Sequence, residues 1–158
     1  MNTIKSAMFT LLAMSFFALP AIAGPPYRGV GGQLEAVGMV AGTYLGTAQY
    51  IEACQKFPDV KTRAIKSYRE YLERNNQTYM DMMGKLPSLA SANGGDAEVK
   101  RVKAELAKGF TFIEENAKKE AAQYAQSAAW RSAFLDKVDK GLLDLKLKHS
   151  IELTKIMK

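Results

Sequence analysis

Apolar residues recur at helical spacing along most of this chain, and proline and glycine break the recurrence at a few places. The pattern from Gln33 to Lys56 predicts a first helix that stops at Phe57-Pro58. Asp59 is suited to cap a second helix, on which Ile65, Tyr68, Leu72, Tyr79, Met83 and Leu86 recur at steps of three, four or seven, and Pro87 is expected to end it. The run P-S-L-A-S-A-N-G-G, Pro87 to Gly95, reads as a loop, with Asp96 as the N-cap of the next helix. Val99, Val102, Leu106, Phe110, Ile113, Ala117, Ala121, Tyr124 and Ala128 trace one stripe through that long third helix, with a bend expected at Gly109. Phe134 or Leu135, Val138, Leu142, Leu145, Leu153 and Ile156 fit a fourth helix. The piece L-D-L-K-L-K alternates as a strand would, so the spacing specifies that helix less firmly beyond Gly141.

Four amphipathic segments joined by short connections predict an all-α fold, an antiparallel bundle of about four helices over residues 33–158. The segment before it reads differently. Lys5 supplies a positive n-region, Ala7 to Leu19 an apolar h-region and Ala21-Ile22-Ala23 a small-x-small cleavage site, the three parts of a secretory signal over residues 1–23. The apolar core is shorter than the roughly 20 residues a spanning helix needs, and the residue directly after the cleavage site is Gly24 rather than a cysteine that could take a lipid. The expected mature chain starts at Gly24 with a flexible Pro/Gly lead-in over residues 24–32, and is soluble in the periplasm.

Composition then narrows the partners. The mature chain would carry 21 basic and 16 acidic residues, a net charge near +5. Export argues against nucleic acid as the target of that charge and favours an acidic protein, a polysaccharide or peripheral contact with an anionic membrane surface. Runs such as K-R-V-K-A-E-L-A-K mix both signs, as a solvated helix face does.

Gly38, Gly42 and Gly46 stand four residues apart within the first predicted helix, although glycine costs a helix interior roughly 1 kcal/mol against alanine. Such a stripe lets two helix backbones approach closely. Three settings fit it: packing inside the same domain, a surface that receives a partner or a second copy, or a membrane. The uncharged run Ala36 to Ile51 is only 16 residues long, which is short for the last of these.

Residues with catalytic or ligating chemistry are few. One histidine and one cysteine exclude zinc-finger and c-type haem motifs, and no cofactor is expected. His149 falls between Leu145 and Leu153 on the last apolar stripe, with no nucleophile or orienting carboxylate at a diagnostic spacing. Cys54 has no partner in its own chain. In an oxidising compartment it is a buried thiol, an intermolecular disulfide or a reactive thiol. The run Y-M-D-M-M-G raises a Cu(I) reading, since thioethers select that ion, with Met80 and Met83 sharing a helix face. Met83 also continues the apolar stripe, and core packing accounts for it as well. Asn75-Asn76 interrupts the second stripe where a core residue is expected. One amide is therefore read as buried and hydrogen-bonded, or as lining a polar cavity.

The segment Cys54 to Asn75, C-Q-K-F-P-D-V-K-T-R-A-I-K-S-Y-R-E-Y-L-E-R-N, resembles small exported α-helical bacterial proteins of unassigned function, in which a cysteine ends one helix, aromatic-proline comes after it, and the next helix reaches Arg-Asn. Gly141 to Leu145, G-L-L-D-L, extends the likeness. The resemblance implies a helical fold and an exported compartment but no activity. It also implies a second cysteine before that glycine, where this chain has W-R-S-A-F. Two functions are expected on these grounds. One is a non-enzymatic periplasmic interaction protein that binds an envelope protein or itself, as an adaptor, chaperone-like binder or inhibitor. The other is a carrier of a small ligand or Cu(I) in the bundle interior, with Met80, Met83, His149 and Asn75 as contacts.

Overall fold

Helix α1, Gln33–Cys54, is buried on almost every side, from Leu34 and Val37 through Val40, Ala41 and Tyr44 to Ile51 and Cys54. A helix that is apolar all round has to be surrounded by others, and here three segments pack on it. The computed structural model describes residues 32–158, which form helices and turns with no strand. The expected signal peptide and all of the lead-in but Gly32 lie outside the described residues.

α2, Lys61–Tyr124, is interrupted at Gly94 and Gly95 and so has two arms. Gly95 has φ 65 and ψ −155, a conformation that side chains resist, and a Cβ on Gly94 would lie 2.9 Å from Glu98 Cβ. Both positions require glycine, for different reasons. Contacts with α1 fix the direction of each arm. Tyr44 meets Asn76 and Tyr79 while Tyr68 lies beside Glu52, so the first arm runs against α1. Gly42 faces Ile113, Gly46 faces Ala117 and Tyr50 donates to Glu120, so the second arm runs with α1.

The remaining chain forms α3 (Ala128–Asp139), α4 (Leu145–Lys148) and α5 (Ser150–Met157). Ser127 caps α3 by accepting the Trp130 N–H, and α3 lies on the first arm of α2, where Arg63 meets Asp136 and Asp139. α5 lies antiparallel to α1: Gln33 donates to the Lys155 carbonyl at 2.8 Å, and Thr43 meets His149 at 2.7 Å.

Several expectations change. Asp59 does not cap α2; the residue at that position is Val60, without a side-chain cap, and Asp59 pairs with Arg131 instead. Pro87 does not end the second helix and residues 87–93 are not a loop. A proline inside a helix costs about 3 kcal/mol, but Leu86 and Ala90 are buried on either side of it and offset that loss by packing. Gly109 sits inside the second arm without a break. The core stripe of the first arm is displaced by one residue. Ala64, Ser67, Tyr71, Asn75, Met82 and Ala90 are buried, whereas Ile65 is exposed and Tyr68, Leu72, Tyr79 and Met83 flank the core; Leu86 is buried as expected. In the second arm Val102 to Ala121 keep to the expected stripe. Its end turns in Ala125 rather than Tyr124, and Ala128 is exposed.

The expected fourth helix is three pieces, and L-D-L-K-L-K is helical from Leu145 rather than extended. α3 stops because Gly141 adopts φ 68, with its N–H on the Val138 carbonyl and the Leu142 N–H on the Lys137 carbonyl, the double bond of a Schellman cap. The chain then re-enters helix at Leu145.

Candidate functional site

The closing turn is held from outside by two adjacent residues of α2. Asn75 is 1% exposed and its amide is fully used: Nδ2 donates to the Tyr71 carbonyl (2.8 Å) and to Asp144 Oδ1 (3.1 Å), while Oδ1 accepts the Leu145 N–H at 2.7 Å. Arg74 donates to Asp144 Oδ2 at 2.8 Å and to the Val138 carbonyl at 2.7 Å. The buried amide expected at Asn75-Asn76 is therefore Asn75, and it fixes the Gly141–Leu145 turn on α2 rather than lining a cavity. Arg74-Asn75 and the segment Gly141 to Leu145 thus meet here.

A second joint lies between α1 and α5. The Thr43 hydroxyl is 2.7 Å from His149 Nε2, and His149 Nδ1 faces Glu152 Oε2 at 3.5 Å. Burial pushes the His149 pKa below its ordinary value, against the opposing pull of Glu152. A carboxylate three residues away thus does orient this ring, which the sequence spacing did not suggest. Hydroxyl, imidazole and carboxylate in this order resemble a nucleophile relay, but none of the three lines either of the two grooves described below. The contacts join α5 to α1.

Cys54 is fully buried, and burial pushes its thiol up to about 11, so it is protonated and shielded at neutral pH. Beside it Arg131, which sequence reading passed over, forms a clamp. Its guanidinium lies 4.2 Å over the Phe57 ring, donates to the Ala125 carbonyl at 2.6 Å and pairs with Asp59 at 2.5 Å. Its place between Trp130 and Phe134 in W-R-S-A-F was the available signal. Trp130 and Phe134 stack at 4.9 Å and lean on Tyr50.

The glycine stripe faces the second arm of α2 within the same chain. A Cβ on Gly42 would stand 3.5 Å from Ile113 Cδ1 and one on Gly46 4.0 Å from Ala117 Cβ, with no backbone as near, while Gly38 has open space. The close backbone approach inferred from the stripe is absent, because the side chains of Ile113 and Ala117 fill the interval. No helix of the described residues is long and apolar enough to cross a membrane. The three methionines part ways: Met80 is exposed, Met83 flanks the core and Met82 is fully buried because the stripe is shifted. Among the described residues no cluster of three or more His, Cys, Asp or Glu could hold a metal ion.

A groove of about 610 Å³ lies between the last turn of α1 and the first turns of α2. Ile65, Tyr68 and Leu72 supply its apolar lining, and Glu52, Gln55, Lys56, Lys61 and Arg69 its polar one. These apolar residues belong to the stripe that the sequence assigned to the core. Burial, and then the neighbouring Glu52 carboxylate, raise the Tyr68 hydroxyl above its ordinary pKa. Among the described residues Lys56, Lys61 and Arg69 form no ion pair. A second groove, of about 440 Å³, lies between α2 and α5 and is charge-balanced by Asp81 and Lys146.

No protein-family profile, curated protein or solved structure matches this chain.

Proposed function

We propose that this chain is a non-enzymatic interaction protein of the periplasm, an antiparallel helical bundle released from a cleaved signal peptide and built to hold an envelope protein. The observation that carries the reading is the division of labour among its side chains. Asn75, Arg131 and His149 are occupied in joining segments of the chain to one another, and Cys54 is buried in the core. The α1–α2 groove instead combines apolar surface with cations that form no ion pair among the described residues. Burying apolar area against a partner and pairing exposed charges at its rim is how protein interfaces gain affinity and selectivity. Adaptor, chaperone-like binder and inhibitor share this chemistry.

The test is affinity capture of the tagged protein from a crosslinked envelope fraction, with mass determination of its mature N-terminus. The reading expects Gly24 as the first residue and one protein recovered in near-stoichiometric amount. A chain retaining Met1 in the cytoplasm contradicts the export half. A small molecule or copper ion that co-purifies in place of a protein contradicts the interaction half.

A further inference from the structure

We propose that the α1–α2 groove receives an acidic amphipathic helix of a partner protein. This rests on the interaction reading above and adds the chemistry of the occupant. The groove lies between two antiparallel helices, the setting into which a third helix lays an apolar face. Ile65, Tyr68 and Leu72 are spaced three and four residues apart along α2, so their side chains form one seam about two turns long. A partner helix with apolar residues at the same spacing covers that seam. Charge decides which polar face such a helix carries. Lys56, Lys61 and Arg69 are exposed and form no ion pair among the described residues, whereas the one acid of the groove, Glu52, lies beside the Tyr68 hydroxyl. Glutamate or aspartate flanking the partner's apolar stripe meets three cations, whereas a basic helix meets those three cations and a single carboxylate, Glu52. The second groove, with its single Asp81 and single Lys146, offers no such selection.

The probe is a synthetic helix of about 18 residues, long enough for roughly five turns, with leucine at i, i+3, i+4 and i+7 and glutamate on the remaining positions. A lysine counterpart with the same leucines and phosphatidylglycerol vesicles are measured beside it. Binding to the purified protein is tracked by fluorescence anisotropy, or by co-sedimentation for vesicles, over a salt series. Binding of the glutamate peptide should weaken with salt. It should fall by about tenfold or more in the Lys56→Glu/Lys61→Glu/Arg69→Glu variant, as loss of rim charges predicts. It should fall again in Ile65→Ser. Lys103→Glu/Lys108→Glu/Lys119→Glu, the same charge change on exposed residues of the second arm, should leave it unchanged. Equal loss in both triple variants, equal binding of the lysine peptide, or vesicle binding without peptide binding overturns the proposal. Affinity capture separates this from the underlying reading. An envelope partner recovered equally by the wild type and the groove variant overturns the groove assignment alone, and no partner with either overturns both.

Discussion

Asn75 Oδ1 accepts the backbone N–H of Leu145 at 2.7 Å across 70 residues of sequence, and this contact sets the register between the last third of the chain and α2. A shorter or apolar side chain would strand the Leu145 N–H and one oxygen of Asp144. Each buried polar group left unsatisfied costs about 1–3 kcal/mol. Asn75→Ala and Asn75→Leu should therefore both destabilise the protein by about 2–4 kcal/mol in urea unfolding, a loss of about one or two such groups. A loss for alanine that leucine restores would show that the site is merely a hole.

The glycines of α1 and of the α2 turn should respond in opposite ways. At Gly42 a methyl group makes ordinary contact with Ile113, so Gly42→Ala should gain up to about 1 kcal/mol from helix propensity, whereas Gly42→Leu overpacks the same contact and should lose about 1–3 kcal/mol. Gly95→Ala places a side chain at φ 65 and should destabilise. Thermal melts of the three variants decide it, and a destabilising Gly42→Ala would restore the close backbone approach.

His149 makes stability depend on pH. Burial lowers its folded-state pKa, so between that value and its ordinary value of about 6.5 the unfolded chain binds more protons than the folded one. Stability should be complete above about pH 6.5, fall as pH drops through that window, and level off below the folded pKa. His149→Gln should flatten this part of the profile in chemical denaturation at stepped pH. An unchanged slope in the variant would place the dependence elsewhere.

The outline of the fold was legible where periodicity and chain breaks agree. α1 stops before Phe57-Pro58 as its pattern requires, and the second arm keeps to its stripe from Val102 to Ala121. The first arm was misaligned because its core contains polar residues. One amide of Asn75-Asn76 was expected inside, but a reading guided by hydrophobicity skips Ser67 and settles on Ile65, Tyr68 and Leu72 one position later. Those misassigned residues line the groove. Pro87 and the Ser/Ala-rich run beyond it read as a loop on local propensity, which packing of Leu86 and Ala90 overrides. Arg131 was hidden for another reason: its partners, Asp59 and the Ala125 carbonyl, lie in separate turns that only the folded chain brings together.

Cys54 should behave as an interior thiol. With its pKa at about 11 and no exposed surface, it should react slowly with a maleimide at pH 8 in the native protein and completely after denaturation, and non-reducing gels should show monomer. Rapid native labelling or a disulfide-linked dimer would place the thiol at the surface.

The central claim, that the α1–α2 groove is the face this protein uses, is tested most directly by photo-crosslinking in living cells. A benzophenone amino acid replaces Ile65, in the groove, or Phe112, an exposed apolar residue outside it. A discrete adduct to one envelope protein from position 65 and none from position 112 is the predicted result. Adducts from position 112 alone, or from neither position under conditions where the protein is exported and folded, would contradict it.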